Sequence, residues 1–139
     1  MGIKAKTSFK INKQKVKEIN DDAIKALEQT AEATKTELIN KQYMPFDNGT
    51  LQNESTFIDN NNIKDGKISI VSSTPYARRL YFHPEYNFQT VNNPNAQGEW
   101  FEPFISGADK DFINDAFKLI NYLGNIHFLP IQVSIEHNF

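Results

Sequence analysis

The chain has no cysteine, which removes disulfides, thiolate metal sites and cysteine nucleophiles together and leaves the fold to be held by packing alone. It has no run approaching the ~18 apolar residues a membrane span needs, and its basic start, MGIKAKTSFKINKQK, lacks an apolar segment behind it. Gly2 is followed at position 6 by Lys6, where the myristoylation pattern requires Ser or Thr. The expectation is a chain made and used in a cytoplasm-like compartment, with no membrane contact. Charge of either sign is also lacking: 15 Lys and Arg against 17 Asp and Glu give a net charge of -2, which argues against a protein built mainly for a nucleic acid backbone. Six glycines include no G-x-S-x-G, G-x-x-x-x-G-K-[ST] or G-x-G-x-x-G, so the nucleophile elbow, the P-loop and the dinucleotide fingerprint are missing.

Aromatic residues are plentiful. Eight of the 17 fall in residues 73–104, a stretch interrupted by His83-Pro84, Asn93-Pro94 and Gly98. They cannot all share one helix or strand, so some pack inward in a loop and others meet a partner. Tyr81, Phe82, Tyr86, Phe88, Trp100 and Phe101, with Arg78 and Arg79, have the composition of a protein interface. Leu80, Trp100 and Phe104 also suit a core.

At 139 residues the chain fits one domain with one core. Residues 4–11 alternate, with Ile3, Ala5, Thr7, Phe9 and Ile11 on one side, as in a strand with one buried face. From 13 to 42 the apolar spacing becomes helical through Val16, Ile19, Ala23, Leu27, Ala31 and Leu38. A strand over 51–58 and another over 67–73 form a hairpin across a polar connection containing Asp65-Gly66. A short helix starts near Pro75, with Thr74 able to cap it. A second helix covers 109–123, capped by Ser106 or Asp109 and ended by Gly124. The tail 126–139 alternates through Ile131, Val133 and Ile135, a strand or extended arm. The fold class is α+β: a small antiparallel sheet packed by a long N-terminal helix and a shorter C-terminal one, with a long aromatic loop. One domain divides into an N-terminal strand or arm (1–12), a core (13–123) and a C-terminal extension (124–139).

Few constellations carry chemistry. His83-Pro84-Glu85 has the H-x-E shape of zinc deaminases without the required cysteines. His83, His127 and His137 lack the spacing of a helical zinc pair. The pairs Asp21-Asp22, Asp109 with Asp111 and Glu99 with Glu102 read as solvated carboxylates. No cofactor and no metal are expected. Arg78 and Arg79 beside Tyr76 and Tyr81 suit ion pairing or, as an alternative function, a small nucleic-acid-binding module that also uses the N-terminal lysines. A small hydrolase acting through His83 and Glu85 is a further rival.

A longer pattern resembles a family. Pro45-Phe46-Asp47-Asn48-Gly49-Thr50-Leu51 with Ser55, then STPYARRLYF (73–82), NPNAQGEWFEPF (93–104) and Asp115-Ala116-Phe117 are similar to the minor capsid, head-tail joining and tail-component proteins of tailed bacteriophages. The likeness covers roughly residues 12–123. Gln52 stands where the broader family often has Arg, and the tail after Gly124 is longer. The resemblance implies a non-enzymatic neck or tail-completion subunit of the virion, assembled in the host cytoplasm as a ring. Its partners would be copies of itself and the neighbouring neck and tail proteins, with non-specific contact to DNA passing through. The 82–99 loop would reach an adjacent subunit, and the arm carrying Ile131, Val133 and Ile135 would add a strand to a partner's sheet edge.

Overall fold

The structure is a computed structural model that describes residues 5–11, 21–45, 56–73, 77–88, 90–91, 93–123 and 133–137. Four strands form one antiparallel sheet: β1 (Ala5–Ile11), β2 (Thr56–Asp59), β3 (Lys67–Ser72) and β4 (Val133–His137), in the order β2-β3-β1-β4. Among the described residues, three helices accompany it, α1 (Asp21–Asn40), α2 (Ala77–Tyr81) and α3 (Phe112–Leu123), with 3₁₀ turns at Ile63–Asp65 and Glu102–Phe104. The α+β expectation holds. No helix among the described residues is long and apolar enough to cross a membrane.

The register fixes which residues share a face. Phe9 lies opposite Ile68, Thr7 opposite Ile70 and Ala5 opposite Ser72, while Ile58 lies opposite Ile70. These odd positions of β1 and even positions of β3 meet α1, which buries Ala23, Ala26, Leu27, Thr30, Ala31, Thr34 and Leu38 at the spacing of one helical stripe. The Thr30 and Thr34 hydroxyls donate to the carbonyls of Ala26 (2.7 Å) and Thr30 (2.8 Å), so neither buried hydroxyl lacks a partner. α3 adds Ile113 and Phe117 to the same core. The β1 pattern predicts one buried face, yet Ser8 on the other face is also buried, its hydroxyl 2.8 Å from that of Ser69 on β3. A strand paired on both sides shelters a side chain as small as serine.

The hairpin is closed by chemistry visible in the sequence. The Asp59 carboxylate accepts the Asn61 backbone N–H at 3.0 Å, and Gly66 takes a left-handed φ of 77° while its N–H bonds to the Ile63 carbonyl at 2.9 Å. Several boundaries differ from expectation. Helix α1 is described from Asp21, and residues 13–20 lie outside the described residues. The strand expected over 51–58 is described as Thr56–Asp59, with 51–55 likewise outside. α3 begins at Phe112, not Asp109, and neither expected cap has a free side chain. Asp109 accepts from Tyr43 at 2.6 Å, and Ser106 donates to Glu102 at 2.6 Å.

The C-terminal arm is corrected most. Residues 133–137 do not wait for a partner's sheet: they pair with the chain's own β1, Val133 opposite Ile11 and Ile135 opposite Phe9. A free edge beside β1 within the same chain is the nearer template, because the sequence alternation fits any antiparallel edge. Ile131 lies outside the described residues.

Candidate functional site

The aromatic stretch divides into an inner and an outer set, and α2 supplies the division. On this one-and-a-half-turn helix Ala77 and Tyr81 face the core while Arg79 faces outward. The Tyr81 ring meets Trp100 edge to face at 4.8 Å and lies 5.7 Å from Phe101. The Trp100 indole N–H donates to the Ser72 hydroxyl at 3.3 Å, and that hydroxyl lies 2.9 Å from the Thr56 hydroxyl. Trp100 thus closes the end of the sheet where β2 and β3 meet. Phe104, on the 3₁₀ turn, contacts Tyr43 and Phe112 edge to face at 6.1 and 5.9 Å. Burial, with the nearby charges of Glu102 and Glu99, pushes the Tyr81 hydroxyl well above the ordinary tyrosine range.

Tyr81, Trp100 and Phe101 therefore cannot be interface residues as their composition suggested. They are 2 %, 0 % and 2 % exposed, and a ring already closed in by its own domain has no surface left to offer.

The outer set is small and ordered. Phe82 is 42 % exposed. Next to it, the His83 ring stacks on Tyr86 with centroids 4.7 Å apart and planes 7° from parallel. Arg79 Nε–H donates to the Tyr86 hydroxyl at 3.2 Å, with its guanidinium 5.9 Å from the ring centroid. His83 Nδ1 lies 2.7 Å from Glu85 Oε2, and this bond holds the Glu85 carboxyl below its usual range. The turn itself is closed by the Tyr86 N–H on the His83 carbonyl at 3.0 Å, and half-buried Phe88 continues the row 6.4 Å from Tyr86. Arg79, His83, Tyr86 and Phe88 come together, Phe82 sets its ring edge to face against Tyr81 at 5.3 Å, and the Arg78 side chain lies outside the described residues. His83 and Glu85 do pair, but on an open surface, their side chains 44 % and 66 % exposed. Among the described residues no group of three His, Asp or Glu could hold a metal ion.

The stretch after this patch is sewn to the end of α1. Buried Asn93 donates to the Met44 carbonyl at 2.7 Å and Asn95 to the Lys41 carbonyl at 2.9 Å. The Gln97 N–H reaches the Tyr43 carbonyl at 2.9 Å. Gly98 then passes so close to the chain before it that a β-carbon there would lie 2.8 Å from Pro84 Cα. Glu99 follows with a left-handed φ of 49°. The Asn-Pro-Asn run and Gly98 were the available signals for this stitching, though nothing in the sequence named Tyr43 or α1 as the partner. Compared with known proteins, the chain matches no family model, no curated sequence and no solved structure.

Proposed function

We propose that this chain is a structural subunit acting through protein–protein contact, a neck or tail-completion subunit of a tailed-phage virion that meets its neighbours with the Arg79–Phe88 patch. One observation carries the reading: Arg79, His83 and Tyr86 are already stacked and hydrogen bonded in the single chain, half-buried Phe88 continues their row, and Phe82, next to His83 in sequence, is exposed. Preordered aromatic and arginine side chains lose little entropy on docking, which is why such groups dominate interface energetics. The Pro-Phe-Asp-Asn-Gly-Thr-Leu and Asn-Pro-Asn-Ala stretches support the phage assignment by resemblance.

A nucleic-acid reading has one observation in its favour. Lys6 and Lys10 on β1 share a sheet face with Lys67 on β3, Lys10 directly opposite Lys67. Three lysines would give DNA binding only a shallow salt dependence, a log–log slope of about -3.

The test is Phe82→Ser combined with Arg79→Glu. Both residues are exposed, so the circular dichroism spectrum and the thermal midpoint stay close to those of the parent. Self-association by sedimentation, or incorporation into particles, falls at least about tenfold, the loss of roughly one hot-spot residue. Unchanged association and incorporation would refute the patch.

A further inference from the structure

One edge of the sheet is open. Among the described residues β2 has a single strand neighbour, β3, which it meets without a bulge from Thr56 opposite Ser72 to Asp59 opposite Ser69. Strands left at an edge are ordinarily blunted by lysine, proline or a bulge, because their outward N–H and C=O groups are a template for another chain. Thr-Phe-Ile-Asp has none of these, and the carboxylate of its one charged residue, Asp59, is turned back on the Asn61 N–H at 3.0 Å. Ile58 points to the α1 side of the sheet, so Phe57 stands on the opposite face, where it is 40 % exposed.

Beside this edge, on the α1 side, lies a groove of about 280 Å³. Ile58 and Ile68 line it from the sheet, Asn60 from the hairpin, and Glu28 and Glu32 from α1. The two glutamates are four residues apart and share one exposed face of the helix, where like charges oppose each other. Among the described residues neither carboxylate has an ion pair or a hydrogen bond, although Lys25 and Lys35 lie one turn away on the same helix. Isoleucines below two unpaired carboxylates suit a lysine or an arginine, whose methylenes lie on the apolar floor while its charge meets the oxygens.

The register sets the pattern of an occupant. A strand laid along β2 alternates faces as β2 does, so its residue opposite Ile58 enters the groove and the residues on either side of it share the face of Phe57. The pattern is apolar, basic, apolar. A second copy does not meet it. Two β2 edges paired antiparallel put both α1 helices on one face of the joined sheet, and Glu28 and Glu32 of each copy then confront those of the other.

We propose that the β2 edge, with the groove beside α1, receives an extended segment of a different protein in which a lysine or arginine stands between apolar residues, adding a strand to the sheet. The contact shares no residue with the Arg79–Phe88 patch and stands independently of it.

The probe is a short synthetic peptide alternating valine with lysine, blocked at both ends and fluorescently labelled, titrated with the full wild-type chain at low salt and followed by anisotropy. It binds saturably, and exchanging its lysines for glutamates weakens binding at least about tenfold. N-methylation of its backbone nitrogens abolishes binding, because strand addition uses main-chain N–H groups. On the chain, Glu28→Lys with Glu32→Lys weakens the lysine peptide by a similar factor and lets the glutamate peptide bind; both positions are exposed, so the circular dichroism spectrum stays that of the parent. Glu32→Gln alone lowers affinity by less and keeps the test decisive if the reversed helix does not fold. Equal affinity for the lysine and glutamate peptides, binding that survives N-methylation, or no saturation at millimolar chain overturns the proposal. Self-association of the chain that tightens with Glu28→Gln and Glu32→Gln assigns the edge to a second copy, and peptide binding that tightens with Lys13→Gln, Lys15→Gln and Lys17→Gln assigns the groove to the chain's own lysines; either result overturns it as well.

Discussion

Trp100→Ala separates core from interface most sharply. The chain's single tryptophan is 0 % exposed. A tryptophan side chain removes ~200 Å² from water, and at ~25 cal/mol per Å² that is about 5 kcal/mol. The alanine methyl keeps a small part of it, and a compact unfolded chain reduces the difference further. The indole bond to Ser72 contributes about 0.5–1 kcal/mol; Ser72 retains the Thr56 hydroxyl at 2.9 Å when it is lost. The expected destabilisation is about 4 kcal/mol, within the range for large aromatic truncations. A domain of this size has a total stability of roughly 5–15 kcal/mol. With a urea slope of about 2 kcal/mol per molar, the midpoint falls by ~2 M. Unfolding is followed by far-ultraviolet circular dichroism, since the substitution removes the fluorophore. Trp100→Phe keeps a ring but not the donor, and loses less than half as much. A loss under about 1 kcal/mol for Trp100→Ala is what a surface position gives; it would refute the packing argument and return Trp100 to the interface.

Two further substitutions examine how the loops are held. Gly98→Ala places a methyl 2.8 Å from Pro84 Cα and 3.1 Å from the Leu80 carbonyl oxygen; because both are backbone atoms that cannot swing away, denaturant unfolding shows a loss of about 1–3 kcal/mol. An unaltered midpoint would mean the two segments do not touch. Tyr43 concerns pH: burial, then its bond to Asp109, push its hydroxyl up to about 12. The unfolded chain releases that proton near pH ~10, so the stability it contributes is whole below pH 10 and drains away between pH 10 and 12. In Tyr43→Phe the urea midpoint falls less steeply across that window, and an identical slope would sink the assignment.

The elements with strong periodicity were legible: the alternation of β1, the stripe of α1 through Ala23, Leu27, Ala31 and Leu38, the hairpin with its turn at Gly66 and the amphipathic α3. In each, one repeating pattern meets one buried face, so local residues suffice. The contacts of Tyr86 with Arg79 and Phe88 join residues close in sequence as well as in space. Pairings across long separations were not legible. Tyr43 with Asp109 spans 66 residues, and Asn93 with the Met44 carbonyl spans 49. A tyrosine or an asparagine is compatible with many such partners, and only the packed chain selects one. The partner of the C-terminal strand was misjudged for the same reason. Its alternation specifies an antiparallel edge without saying whose.

Aromatic density could not by itself tell core from contact surface, because both environments favour large rings. What separates the two sets here is backbone direction and polar company. Phe101 and Phe104 stand three residues apart across a 3₁₀ turn, where such positions eclipse, so one turn sends both rings inward, Phe101 beside Trp100 and Phe104 against Tyr43 and Phe112. Phe82 follows Tyr81 by one residue at a helix end and must leave on another side. The rings that remain outside are those whose neighbours are charged: Tyr86 lies between Arg79 and His83, and His83 is tied to Glu85. Burying that set in the domain core would strand three ionisable groups away from water. Leaving it outside keeps them hydrated, so the charged companions of an aromatic stretch, more than the rings themselves, mark which rings stay out of the core.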